Sequence, residues 1–462
     1  MKSIARALIL TILTLAFHVS EAQDTRPYQR MLKEYDAKGL SSHVQSSVNN
    51  DPAALGTVAA GRLDFSGKTP FVAFSAGWDE ERPLNENSRL WLSVSPDSLQ
   101  WSAWKPLQTD AHATGAKMHH VTELVFLQAD TRFFRINAAT DMRGQGSRMT
   151  KLLVNFFSPG ERPSSPAPQS TPTVTNSGCP CEKPAVVTRA GWNCPQTGNP
   201  GYSYTTVSHL IVHHSAGSNT SSDWAAVVLS IWNSHVNTNG WADIGYNYLI
   251  DPKGVVYEGR GGGDNVVGAH FCGTNGSTMG TCLIGTYTNE AITDTARSRL
   301  VSLLAWKACA SSIQVTGSSL HPSSGRTLQH ISGHRDGCAT ECPGGNFYAT
   351  LPALRTAVSN RMATCNAVTS VPVIDGMSDF RIAPNPAPSE GASVQLSLAT
   401  PKSFSYEVFN SQGQRLHAST PVTVVGYRRI PLKGFGRANS GTVYIRFDVG
   451  GRSFTQQVRI EK

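Results

Sequence analysis

All nine cysteines of this 462-residue chain fall between positions 179 and 365, and neither flank holds one. Only the middle can therefore be cross-linked, and the flanks must cohere by packing alone. At roughly 150 residues per domain the length suits about three domains, which matches a cysteine-bearing centre with one unit on each side. Residues 1–22 carry Lys2 and Arg6, an apolar run from Ala7 to Phe17, and Ser20-Glu21-Ala22 in a small-x-small cleavage pattern, so they are expected to be a signal peptide. The run is too short to anchor in a bilayer and no later segment is long enough, so no stable membrane insertion is expected. Export would place the cysteines in an oxidising compartment.

Within the cysteine-bearing centre, Gly333-His334-Arg335-Asp336-Gly337-Cys338-Ala339-Thr340-Glu341-Cys342-Pro343-Gly344 sets an imidazole and a thiol eight positions apart in a Gly-rich loop. A thiolate with an imidazole favours zinc, and a catalytic zinc takes three protein ligands and leaves a fourth position for water. The third donor must come from elsewhere. His213 is the candidate, at the end of the β-branched run Leu210-Ile211-Val212 and before the small residues Ser215-Ala216-Gly217. If Cys342 is a ligand, eight cysteines remain, an even number that suits four disulfides whose pairing among 105 connectivities stays open. His214, one residue on from His213, should point to the opposite sheet face and is read as structural.

These segments carry a resemblance. Val212-His213-x-Ser215-Ala216, Gly240-Trp241-x-Asp243-Ile244-Gly245-Tyr246-Asn247, Val256-Tyr257-Glu258-Gly259-Arg260, Gly268-Ala269-His270, and Gly333-His334-Arg335-Asp336 with Thr340-x-Cys342-Pro343-Gly344 are similar to the zinc N-acetylmuramoyl-L-alanine amidases of type 2, the family that includes the peptidoglycan recognition proteins. The likeness runs from Arg189-x-x-Trp192 to the helix before Cys365. It implies one Zn2+ held by His213, His334 and Cys342, catalytic hydroxyls on Tyr246 and Thr340, and peptidoglycan or muropeptides as substrate. Trp241, Arg260 and His270 are expected to contact substrate, with His270 alternatively behind a ligand. Glu258 and Arg260 would shape the groove rim or bond each other. Gly261-Gly262-Gly263-Asp264-Asn265-Val266-Val267 departs from the family: it is longer and lacks the aromatic of the stretch that helps choose between diaminopimelate and lysine.

The expected architecture is multidomain, a central α/β amidase domain over 179–367 with a mixed sheet flanked by helices, between an N-terminal all-β domain over 23–160 and a small C-terminal β-sandwich over 377–462. Residues 161–178 form a Pro/Ser/Thr linker and 368–376 a connector. In the N-terminal part, Arg89-Leu90-Trp91-Leu92-Ser93-Val94 and Phe133-Phe134-Arg135-Ile136 alternate between turn signals; Trp78, Trp91, Trp101 and Trp104 would be core packing or a sugar-stacking platform. The His-His pair at 119 and 120 has no partner spacing for a metal. In the centre, Trp224, Val227, Val228, Ile231 and Trp232 predict a helix capped by Ser221 or Ser222, and Leu300, Leu303 and Leu304 a second helix after Thr293. Strands are expected at Tyr246 to Ile250, Val255 to Tyr257 and Cys282 to Tyr287. The tail, with Ile382-Ala383-Pro384-Asn385-Pro386, Gly441-x-Val443-Tyr444 and terminal Lys462, resembles the C-terminal sorting domain of type IX secretion. That implies the type IX secretion machinery as a partner and a secreted or cell-surface location reached through the periplasm.

Charge narrows the function. Basic and acidic residues number 18 and 16 in 1–178, 11 and 10 in 179–367, and 11 and 6 in 368–462. A nucleic-acid enzyme concentrates basic side chains around its site; here the excess sits in the tail, so the basic pI is no evidence for such an enzyme and no nucleic-acid partner is expected. Three classes remain in comparison: the zinc amidase, a peptidoglycan-binding module of the same fold without catalysis, and a blue-copper electron carrier. The resemblance implies that members which only bind lack the thiol at the Cys342 position. Copper would want ligands bunched in one loop with an axial Met, and the Gly333 to Gly344 loop has no Met. The zinc amidase, cutting between muramic acid and L-alanine, fits all three observations.

Overall fold

The computed structural model describes residues 27–36, 57–80, 89–110, 120–139, 149–162, 181–196, 199–367, 374–385, 387–388, 391–410, 414–435 and 441–461. The expected signal peptide and most of the expected linker and connector lie outside the described residues.

In the cysteine-bearing centre, apolar runs too short for helices build one six-stranded sheet. Its strands are β1 (Val186–Val187), β2 (His209–His214), β3 (Tyr248–Ile250), β4 (Val256–Glu258), β5 (Thr278–Leu283) and β6 (Ile331–Gly333), in the order β1-β4-β3-β5-β2-β6. All pairs are parallel except β3 with β4. β2 and β5 are buried on both faces along their whole length, the condition of strands covered by helices on each side. The third expected strand was placed too late: pairing begins at Thr278 and ends at Leu283, because Gly285 breaks into positive φ just beyond.

Helix α1 (Trp224–Asn233) starts at Asp223, whose carboxylate accepts from the Ala226 N–H at 3.1 Å. Asp223 thus takes the cap expected of Ser221 or Ser222, and the Ser221 hydroxyl instead accepts from the Asp223 N–H. Helix α2 (Asp294–Ala310) is capped by Thr293 and buries Leu300, Leu303, Leu304 and Trp306. It packs with α3 (Leu351–Ala367), through Leu354 and Val358, on one face of the sheet. The Cys181–Cys365 disulfide joins the two ends of this unit across 184 residues, a closure worth about 5 kcal/mol if it acts through chain entropy.

Helix α1 has no polar face: nine of its ten residues are buried. One side meets the sheet through Leu249, Cys282 and Ile284, and the other meets Phe71, Ala73 and Phe157 of the N-terminal region. That region is two facing sheets. Gln29–Asp36, Met149–Ser158, Val72–Glu80, His120–Val121 and Val125–Leu127 form one, and Thr57–Arg62, Phe133–Ala139, Arg89–Ser95 and Lys105–Leu107 the other. Phe74, Trp78 and Phe156 interleave with Leu90, Leu92 and Phe134 between them. Trp78 is therefore core, stacked on His120. Trp101 and Trp104 take the Arg135 guanidinium between them at 4.3 and 4.7 Å. A buried polar network crosses to the central unit: Thr238 bonds Ser75 at 2.7 Å and Asn155 at 2.8 Å, and Asn155 accepts from Asn233. In the tail, Ser393–Phe409 pairs early with Met377–Ala383 and Val422–Pro431 and late with Arg415–Ala418 and Gly441–Val449, around Leu396, Phe404 and Phe447.

At the start of β2, His209 is fully buried, with His321 and His330 rings 5.1 and 5.3 Å away. Burial first, then these two imidazoles, pushes its pKa down to about 4. An unfolded histidine titrates near ~6.5, so below that value the unfolded chain binds more protons and stability falls until about pH 4. The melting temperature should drop across this window, and His209→Phe should flatten the drop. An unchanged slope in the variant would exclude His209 as its source.

Candidate metal centre

Because β2 and β6 are parallel with Val212 beside Gly333, the next residue along each, His213 and His334, emerge together at the C-terminal ends of the two strands. Their rings are 4.6 Å apart. His334 opens a single 3-10 turn whose start is held by the Gly333 N–H donating to Asp336 at 2.8 Å. Gly333 is required there: a Cβ would lie 2.9 Å from both Pro343 and Tyr348. The loop then returns Cys342, whose sulfur accepts the His214 backbone N–H at 3.3 Å and lies 3.7 Å from His213 Nδ1.

One donor atom each from His213, His334 and Cys342 lies within 4.8 Å of the others, and all three residues are buried. Zinc bonds of about 2.0–2.3 Å at tetrahedral angles place donors roughly 3.3–3.8 Å apart, so small side-chain adjustments suffice. Chemistry and spacing both fit the ion. A second cluster, Cys272, His334 and Cys338, has its two thiols joined in a disulfide.

Ligation through His213 Nδ1 requires the proton on Nε2, and Nε2 faces His270 Nδ1 at 3.0 Å. His270 Nε2 then faces the Thr278 hydroxyl at 3.3 Å, which donates to the Asn275 carbonyl at 2.7 Å. The relay fixes the tautomer, as outer partners of metal-bound histidines do. His270 is 3% exposed and sits directly behind His213, the second of the two places expected for it. Gly268 and Gly280 make its room, since a Cβ on either would come within 2.4 Å of the ring.

The Tyr246 ring is 5.3 Å from that of His213. Burial above all, with the Cys282 and Cys342 thiols and Asp110 nearby, pushes its pKa well above that of a free phenol. Tyr246 therefore remains a neutral donor. Thr340 is half-buried in the ligand loop and its hydroxyl accepts the Cys342 N–H at 3.2 Å. Trp241 packs its ring 4.7 Å from His235. Arg260 and Glu258 do not meet: Arg260 donates to the Ile244 carbonyl, while the Glu258 carboxylate accepts from the Arg189 N–H.

The expectation of four disulfides is overturned. Cys194 and Cys282 are free thiols, Cys282 fully buried under Tyr246, whereas Cys181, Cys272, Cys309, Cys338 and Cys365 are disulfide-bonded. Even parity carried no information about which thiols the core uses as apolar filler. Sequence reasoning also missed Asp243, which accepts from Arg189, Tyr202, the Ile244 N–H and the Gly261 N–H. The divergent 261–267 loop is anchored there and at Asp264, which takes Lys183 and Tyr248, while Lys307 donates to the Asp264 carbonyl and Asn265. Burial pushes the Lys307 pKa down to about 8. Tyr202, from a separate segment, supplies the ring that packs on Gly261 and Gly262.

Residues 203–345 match the family described as N-acetylmuramoyl-L-alanine amidase. Peptidoglycan-recognition protein SC2 of Drosophila simulans is 32% identical over 165 residues, 35% of this chain and 82% of that protein. Peptidoglycan-recognition protein SC1a of Drosophila melanogaster is 36% identical over 170 residues, again 35% and 82%. The Homo sapiens N-acetylmuramoyl-L-alanine amidase is 33% identical over 183 residues, 38% of this chain and 28% of that one.

Gly280→Ala should push the His270 ring off His213 and weaken zinc binding by about 10- to 100-fold, the usual cost of losing an outer partner. Calorimetric titration of zinc into metal-free protein measures it. An affinity equal to wild type would remove His270 from this role.

Proposed function

The chain belongs to the N-acetylmuramoyl-L-alanine amidase family that includes the peptidoglycan-recognition proteins, and on that premise we propose that it is an exported zinc amidase. It would hydrolyse the amide between the lactyl group of N-acetylmuramic acid and L-alanine in peptidoglycan or muropeptides. The observation that carries this reading is the convergence of His213, His334 and Cys342 beside Tyr246. Bound by these three residues, zinc would supply a Lewis acid and lower the pKa of a coordinated water. The chain's own groups do the rest. His270 keeps the His213 tautomer, and the His214 N–H keeps Cys342 in place. Tyr246, neutral across the physiological range, can donate to negative charge developing on the carbonyl oxygen. Thr340 is the second hydroxyl of the site.

A binding-only module would need the fold but neither the thiol nor the phenol. Cys342→Ser should therefore lose most zinc and all but a trace of hydrolysis, with folding retained. Tyr246→Phe should keep its zinc and lose turnover by a factor on the order of a hundred or more, the cost of an oxyanion-type donor. Mass spectrometry of muropeptides after incubation reports the bond cut. Full turnover in either variant would refute the assigned role, and an inert wild-type protein that still binds muropeptides would mark a binding module.

We further propose that the tail is a type IX export address. It has its own core, around Leu396, Phe404 and Phe447. A chain shortened after Ser370 should hydrolyse peptidoglycan in vitro like the full chain, yet stay in the periplasm of its host. Cell fractionation decides it, and a shortened enzyme that reaches the medium would rule out the sorting role.

A further inference from the structure

The N-terminal sandwich does more than cover helix α1. Three cavities line the seam between it and the central unit, and neighbouring cavities share residues. Nearest the metal ligands, the first is walled by Tyr246, His235, Ala216, Asp110, Glu123 and Leu124. A second, of about 310 Å³, shares Glu123, Leu124 and Ala216 and extends to Gln108 and Phe126. The third, of about 410 Å³, shares Phe126 and Ser218 and runs on past Gln128 to Ser221 and Ser222. Each outer cavity falls within the size range of small-molecule sites. Sharing walls in this way, the three follow one another along the seam as one groove line from Tyr246, narrowest at the Tyr246 end, where the first cavity holds about 30 Å³.

We propose that this groove holds the glycan strand of the substrate, so that the N-terminal sandwich is one wall of the enzyme's binding site. The proposal rests on the amidase reading. A muramic acid whose lactyl amide is being cut remains joined to its neighbours in the strand, and those sugars need a path away from the reacting bond. The groove supplies one, and its lining suits sugars. Gln108, Gln128, Ser218, Ser221 and Ser222 offer uncharged donors and acceptors for hydroxyls, and the half-buried Phe126 offers a ring face for the apolar side of a pyranose. The stem peptide is a poorer occupant. It carries free carboxylates, and the end beside Tyr246 holds Asp110 and Glu123 against a single lysine, Lys105, in the middle cavity; like charges at the reacting end disfavour it. The wall is also preformed. Phe126 lies on Gly217, where a Cβ would be 3.2 Å from its ring, and the buried bonds from Thr238 to Ser75 and Asn155 hold the two units together. No ordering of the sandwich need accompany binding.

The test uses the full chain and two variants that fill the outer groove from exposed positions, Gln128→Trp and Ser222→Trp, with melting temperature as the check on folding. Calorimetry with a peptide-free hexamer of N-acetylglucosamine measures binding without catalysis. In parallel, kcat/KM is compared for a disaccharide-peptide and for an octasaccharide carrying the same peptides. Wild type should bind the hexamer and prefer the longer substrate; both variants should lower hexamer affinity about tenfold and shrink the preference in proportion. No hexamer binding by wild type, or binding untouched by both variants, overturns the proposal. Variant-sensitive hexamer binding without hydrolysis of either substrate would sink the amidase reading and leave the glycan groove standing. Hydrolysis indifferent to chain length, with no hexamer binding, would do the reverse.

Discussion

The parallel pairing of β2 with both its neighbours is the constraint on which the site depends. A strand buried on both faces between β5 and β6 cannot slip by one residue without turning every side chain to the opposite face. With Leu210 beside Ile331 and Val212 beside Gly333, the two histidines are fixed relative to each other by backbone hydrogen bonds rather than by their own contacts. Only the third donor arrives on a loop. That loop is correspondingly restrained, by the Arg335 N–H on the Cys342 carbonyl, the Cys342 N–H on Thr340, and the close fit of Gly333 under Pro343 and Tyr348.

Depth governs the chemistry of this cluster. His213, His334, Cys342, His270 and Tyr246 are all 4% exposed or less. In such surroundings charge is costly unless it is paired, and each group meets the demand differently. Tyr246 stays neutral, His213 is hydrogen-bonded outward through His270 to Thr278, and the sulfur takes a backbone N–H. A divalent ion would complete the arrangement by balancing a thiolate with opposite charge.

The site was legible in the sequence where its signal is local. His213 at the end of a β-branched run, and His334 and Cys342 in one Gly-rich loop, each announce a donor within a few residues, and the second helix follows directly from Thr293 and its leucine spacing. What failed required knowledge of distant neighbours. His270 reads equally as a groove residue or as one behind His213 until β5 is seen to leave room for it at Gly280. Cys282 and Cys194 count toward even parity until burial shows them as thiols. The choice of Asp223 over two adjacent serines as cap turns on one residue of register, the least certain property of any helix end. Asp243 gave no local sign of collecting four donors, three of them from distant parts of the chain.

Helix α1 shows how the same limit applies to whole domains. Its sequence Trp-Ala-Ala-Val-Val-Leu-Ser-Ile-Trp-Asn lacks a polar stripe, and a helix apolar all round must be buried all round. The sheet can cover only one side. The sequence thus states that a second partner exists, though not which one, and composition places the boundary between units at the Pro/Ser/Thr tract well before it. In the folded chain the partner is the N-terminal sandwich, through Phe71, Ala73 and Phe157. Covering α1 brings Val125–Leu127 alongside the loop that follows His213, so the need to hide one apolar helix also carries Leu124 to the cavity beside Tyr246 and Phe126 onto Gly217. The boundary drawn by composition and the boundary of the candidate site are therefore different lines.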